Sequence, residues 1–216
     1  MALPRHLDAL AMGKSSAPNT LELWLDYLCP FSAKQLLGVE KHLFPLIFND
    51  GAKYLDRVRL VIRPTPQPWH GSSTYLHEAA LASISLGTTS EKIDDQDDNP
   101  FWLASIALMQ NQTKFFDVPA KNKTAAQIRD ELAAIVRAAV HDTKDAEDEV
   151  RSLIEPQGDG NAGSEMVADL KYCVKMGRQN GVHVTPSVSF NGLLVNDISS
   201  SFGAKEWSEW LNKNIK

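Results

Sequence analysis

The stretch from Thr20 to Ile47 constrains this chain most. Leu21-Glu22-Leu23-Trp24-Leu25-Asp26 alternates apolar and polar side chains at a period of two and runs into Tyr27-Leu28, the pattern of a strand with one well-buried face. Cys29-Pro30 follows without a spacer. From Phe31 to Ile47 the residues Leu36, Leu37, Val39, Leu43, Leu46 and Ile47 then recur at the spacing of an amphipathic helix. Pro30 suits the first turn of that helix, where its missing N–H costs nothing, and Pro45 is expected to kink or shorten the far end. A strand that turns straight into a helix, with a cysteine at the junction, limits the chain to folds in which helices cover a sheet.

The rest of the chain supplies the other layers. Arg57 to Arg63, with Val58, Leu60 and Ile62 alternating against their neighbours, reads as a second strand stopped by Pro64-Thr65-Pro66-Gln67-Pro68. From Ser72 to Asn180 the periodic stretches are helical. Thr74 to Leu86 ends at the turn-prone Gly87-Thr88-Thr89, and the acidic run Asp94 to Asp98 reads as a solvated loop. Asn99-Pro100 offers a cap and a first-turn proline for Phe101 to Phe116, and Thr124 opens a helix through Val140. Residues 156–163 form a loop, Ser164 to Asn180 is helical, and Gly181 stands where a left-handed cap is wanted. Pro186 to Phe190, the turn dipeptide Asn191-Gly192, and Leu193-Leu194-Val195 predict a hairpin. A last helix runs from about Ala204 to Asn214, with Trp207, Trp210 and Leu211 on one face. Residues 1–19 are expected to be a loose lead-in. The order strand, helix, strand, helical block, hairpin, helix predicts an α/β sheet with covered faces.

Composition narrows the partners. Of 216 residues, 22 are basic and 27 acidic, with no basic cluster, which disfavours nucleic acid or an anionic membrane as partner. Thiols, small molecules or other proteins are expected instead. Cys29 and Cys173 lie too far apart in sequence to suggest a disulfide scaffold, and the first twenty residues hold no apolar run of signal-peptide length; together these favour a reducing compartment such as the cytosol, so a cytoplasmic protein is expected. No metal-ligand spacing, phosphate loop or nucleophile elbow is present, so no metal or bound cofactor is expected.

Candidate site residues gather at the strand ends. A free cysteine is most often a small buried residue, but at a strand-to-helix junction the open N–H groups and the helix dipole favour a thiolate, so Cys29 is the candidate nucleophile. Ser32, one turn on, can donate to the sulfur or help satisfy the helix start. Lacking a second thiol there, a mixed disulfide on Cys29 would need an outside thiol such as glutathione, or a second sulfur of the substrate, to resolve it. Thr185-Pro186 sits where a cis peptide would hold a backbone edge open to an extended ligand. Trp69 and His70 join the second strand to the helical block, where loops gather; His70 can steady a thiolate or shuttle a proton, or simply cap a helix. His77 and Cys173 read as core.

Leu25-Asp26-Tyr27-Leu28-Cys29-Pro30-Phe31-Ser32 and Gly181-Val182-His183-Val184-Thr185-Pro186-Ser187 resemble the active-site and cis-proline segments of the DsbA-like branch of the thioredoxin superfamily. The resemblance covers about residues 20–63 and 181–216 as a thioredoxin-like core, and it implies an all-helical insertion, residues 64–180, between the second strand and the cis-proline loop. It implies Cys29 as nucleophile, Pro30 and Phe31 as the pair that tunes it, and Pro186 as a cis-proline facing the sulfur, with Thr185 offering backbone hydrogen bonds to substrate. Family oxidases carry a second cysteine where this chain has Ser32, which points to monothiol exchange on protein disulfides or glutathione mixed disulfides. Relatives often bury an acid where this chain has Leu23. Asp26 and Cys29-Pro30-Phe31-Ser32 are also similar to kappa-class glutathione transferases and 2-hydroxychromene-2-carboxylate isomerases. That similarity implies a second function, a glutathione-dependent reaction on a small hydrophobic molecule in a pocket walled by Trp69, His70 and the insertion helices. A third reading is a binding module that has lost turnover.

Overall fold

Strand pairing follows the alternating segments. In the computed structural model, which describes residues 3–87, 99–140 and 143–215, strand β1 spans Ala11–Met12 and β2 spans Asn19–Leu25. Strand β3 covers Val58–Pro64, and β4 and β5 cover Ser187–Phe190 and Leu193–Val195. The sheet order is β1-β3-β2-β4-β5. β2 and β3 run parallel, with Leu23 opposite Ile62 and Leu25 opposite Pro64, while β4 is antiparallel to β2 and β5 to β4. Asn191 and Gly192 both take positive φ, as a two-residue hairpin turn between twisted strands requires.

Helix α1, Pro30–Gly38, leaves β2 through the turn at Asp26 to Cys29 and is followed by a π-helical turn over Val39–Leu43 and by α2, Phe44–Ile47. The single helix expected over residues 31–47 is therefore broken. Pro45 has no N–H for the regular ladder, and the turn before it widens so that the Phe44 N–H reaches the Val39 carbonyl.

Between β3 and β4 the described secondary structure is helical. It comprises α3 over Ser73–Ala82, α4 over Pro100–Asn111, α5 over Asp117–Ala120, α6 over Ala125–Val140, α7 over Lys144–Leu153 and α8 over Val167–Gln179. The fold is thus α/β with an all-helical insertion, as expected. The Asn99 side chain accepts from the Trp102 N–H to cap α4, and Gly181 takes the left-handed conformation after α8. Helix α9, Ala204–Asn214, buries Trp207, Trp210 and Leu211. The turn expected at Thr88-Thr89 and the acidic loop Asp94 to Asp98 lie outside the described residues. No helix among the described residues is long and apolar enough to cross a membrane.

One expectation is corrected. The lead-in expected over residues 1–19 is not loose in its described part: Arg5–Leu10 form a 3₁₀ helix with Leu7 and Leu10 buried, and Ala11 and Met12 pair antiparallel with Val61 and Leu60. This edge strand leaves β3 inside the sheet. Val61 and Arg63, on the other face from Val58, Leu60 and Ile62, are buried as well.

Candidate active site

The C-terminal end of β2 carries the site. Asp26 is the first residue after the strand and wholly buried, a position that an ionisable side chain holds only with partners. Its Oδ1 accepts from the Leu28 N–H at 3.0 Å and the Ser73 hydroxyl at 2.5 Å. Its Oδ2 accepts from the Gln67 N–H at 3.2 Å and bonds His70 Nδ1 at 2.5 Å. One carboxylate thus ties the turn into α1, the loop after β3 and the first residue of α3. The parallel β2–β3 pairing sets this up: it continues into a Thr65 N–H to Leu25 carbonyl bond of 2.8 Å, which brings the loop beginning at Thr65 alongside Asp26.

Cys29 is the N-cap of α1, and Pro30 opens the helix. Its N–H donates to the Asp26 carbonyl at 3.0 Å and its carbonyl accepts from the Ala33 N–H at 3.1 Å. The Gln112 amide crosses from the insertion to donate to the Tyr27 carbonyl at 2.9 Å and the Cys29 carbonyl at 3.4 Å. The sulfur takes no part in capping. It donates instead to the Thr185 carbonyl at 3.3 Å, and the Thr185-Pro186 peptide is cis. Two segments 156 residues apart in sequence therefore meet at one sulfur.

Ser32 is fully buried, and its hydroxyl oxygen accepts from the Asp26 N–H at 3.2 Å. The bond to sulfur that the sequence allowed is absent, and Ser32 holds the Asp26 turn instead. Leu23, where the family resemblance looks for an acid, is core; the buried acids of this segment are Glu22 and Asp26. Asp26 is the one that adjoins the cysteine turn.

No protein-family model matches the sequence, and no curated protein matches it. Solved structures do. A protein proposed to be a protein-disulfide isomerase, from Pseudomonas syringae, aligns with a TM-score of 0.67 at 24% identity, over 96% of this chain and 98% of that one. DsbA from Chlamydia trachomatis aligns at 0.60 and 14% identity, over 94% and 90% of the two chains. MdbA, a thiol-disulfide oxidoreductase from Corynebacterium diphtheriae, aligns at 0.57 and 17% identity, over 92% and 84%. The fold is DsbA-like.

Within this DsbA-like fold the remaining candidates separate. Phe31 projects into solvent, 64% exposed, and so do Trp69 and Val184. Trp69 and His70, expected to wall one pocket, part company. His70 lines an apolar cavity of about 370 Å³ with Leu28, Pro30, Phe116, Val118 and Pro119, whereas Trp69 borders a separate depression of about 270 Å³ with Pro66, Arg178, Val182 and His183. His77 is structural, as expected: it is buried between the Ser73 and Leu25 carbonyls, and burial pushes its pKa down, against the pull of Asp26. Cys173 sits in the core, where burial pushes its thiol up to about 12.

Sequence reasoning missed the segment Phe116 to Pro119 as a cavity wall and took Asp26 only as a point of family likeness. A signal for Asp26 was present. A carboxylate ending an apolar strand needs donors, and Gln67, His70 and Ser73 follow the strand that pairs with it.

Proposed function

We propose that this protein is a monothiol thiol–disulfide oxidoreductase with Cys29 as nucleophile, acting on protein disulfides or glutathione mixed disulfides. The observation that carries the reading is the Cys29 sulfur, placed at the N-cap of α1 yet free of capping and within hydrogen-bond reach of the Thr185 carbonyl beside Pro186. A thiolate there attacks a substrate disulfide, one substrate sulfur leaves as thiolate, and Cys29 is left in a mixed disulfide. Forming that bond removes the S–H, so the Thr185 carbonyl becomes available to a substrate N–H. Pro30 and the exposed Phe31 and Trp69 offer apolar contacts for the segment around the substrate cysteine.

Ser32 supplies no sulfur, so an outside thiol completes the cycle. Glutathione as co-substrate, no bound cofactor and a reducing, cytoplasmic setting fit that requirement. The likeness of the fold to proteins named as thiol-disulfide oxidoreductases supports the reading. The test is release of glutathione from a glutathionylated peptide. Cys29→Ser should bring the rate to background while leaving thermal unfolding cooperative, and undiminished release would overturn the reading.

The apolar cavity beside Pro30 favours a second reading, a glutathione-dependent transferase or isomerase for a small hydrophobic molecule. Conjugation of glutathione to chlorodinitrobenzene without disulfide exchange is its signature.

A further inference from the structure

We propose that the cavity lined by Leu28 and Pro30, the chain neighbours of Cys29, receives a low-molecular-weight thiol, and that His70, oriented by Asp26, is the base that takes its proton when this thiol resolves the mixed disulfide. The inference rests on the monothiol exchange reading above and names its second substrate and second catalytic residue.

The resolving thiol has to come from outside. Ser32 is committed to the Asp26 amide, and Cys173 is packed in the core with burial holding its thiol protonated. The residues on either side of Cys29, Leu28 and Pro30, both line the cavity of about 370 Å³, a volume suited to a small molecule rather than to a folded partner. Its other walls, Phe116, Val118 and Pro119, are apolar, and its polar lining groups are Asp117 and His70.

That imidazole is held for proton transfer. Nδ1 is 2.5 Å from Asp26 Oδ2, which fixes the ring proton on Nδ1 in the neutral tautomer and leaves the Nε2 lone pair as acceptor. Asp26 is itself held by the Leu28 and Gln67 N–H groups and the Ser73 hydroxyl, so the ring has a rigid anchor. The ionisable groups around His70 are Asp26 from the turn after β2, His77 from α3 and Asp117 from α5.

The step balances without a further reactant. The entering thiol passes its proton to His70 Nε2, and its thiolate attacks the substrate sulfur of the mixed disulfide. The bond to Cys29 Sγ breaks with its electron pair on Sγ, a new disulfide forms between substrate and entering thiol, and the proton on His70 returns to solvent or to Cys29. The substrate sulfur stays in a disulfide, the entering thiol is oxidised and Cys29 is reduced. Asp26 acts through His70 and is a positioning residue.

The test separates the two half-reactions. Protein is first charged to completion on Cys29 with glutathione disulfide, and loss of the adduct to added glutathione is then followed by mass spectrometry at pH 7 and at pH 10. A cysteine-type thiol with a pKa of about 8.5 is only about 3% ionised at pH 7, so a base can gain at most about 30-fold there and nothing once the thiol is ionised. His70→Gln should slow resolution at pH 7 by about tenfold or more and match wild type at pH 10; Asp26→Asn should shift the rate in the same sense. Val118→Trp, which fills the cavity, should slow resolution at both pH values. A His70→Gln protein that resolves at the wild-type rate at pH 7, or that is equally slow at both, overturns the role of His70. An unchanged rate in Val118→Trp overturns the cavity as entry site. If Cys29 cannot be charged at all, the monothiol reading itself fails, a result distinct from either.

Discussion

Each of the two cysteines lies near a buried carboxylate bonded to a basic group, and the two arrangements differ in one chemical respect. Cys173 stands close enough to the Arg63 guanidinium to feel its charge, and Arg63 pairs with Glu22 at 2.5 Å, which also accepts from the Ser189 hydroxyl. Cys29 follows a turn whose Asp26 bonds His70. Residue exposure does not distinguish the thiols, at 4% for Cys173 and 6% for Cys29. What does is position and partner. Cys173 lies inside a helix near a guanidinium, whereas Cys29 caps a helix whose preceding turn is tied through Asp26 to an imidazole. The carboxylate partner is architecture in one region and, on the proposal above, acid–base equipment in the other, because a neutral imidazole offers a nitrogen lone pair and a guanidinium does not.

The sharpest way to break this comparison is to remove each sulfur in turn. Cys29→Ala should abolish peptide deglutathionylation, while Cys173→Ala should leave its rate within about twofold of wild type; equal losses would erase the distinction. Next in size is the architectural pair. Glu22→Ala strips the carboxylate from a buried guanidinium and should cost about 3–5 kcal/mol in urea unfolding. The exchange rate per folded molecule should not change. Asp26→Asn keeps the shape but weakens bonds from two backbone N–H groups and one hydroxyl, for an expected loss of about 1–3 kcal/mol together with slower resolution.

The smallest effect is one of pH. Burial lowers the His77 pKa in the folded protein, so below about pH 6.5 the unfolded chain takes up a proton that native His77 refuses. Stability should therefore fall as pH drops from 6.5, with a slope of up to about 1.4 kcal/mol per unit from this group. Glu78 acts in the opposite sense at lower pH, because burial raises its pKa and the native state holds the proton more tightly. Urea midpoints between pH 7 and 5.5 for wild type and His77→Gln check the sign; a steeper decline in the variant would contradict it.

What could be read from the sequence was what local chemistry dictates. Asn99-Pro100, Asn191-Gly192, Gly181 and the tryptophan face of Ala204–Asn214 each carry their signal within a few residues, and each appears in the structure as expected. The edge strand Ala11–Met12 was hidden because two residues have no periodicity and owe their conformation to pairing with Leu60 and Val61. At the site, Cys29 and Pro186 were legible as two motifs. Three features were not: Asp26 to His70 spans 44 positions, Ser32 turns from the sulfur to a backbone amide, and Trp69 and His70 face different hollows despite being adjacent. Direction of a side chain from a loop is a property of the packed surroundings, and no spacing rule encodes it.

The account depends on Cys29, and not its equally buried counterpart, being the sulfur that reacts. Incubating the native protein with glutathione disulfide and mapping adducts by peptide mass spectrometry asks this directly. One glutathione on Cys29 and none on Cys173 is the predicted result; an unmodified Cys29, or an adduct on Cys173 in the folded protein, would contradict it.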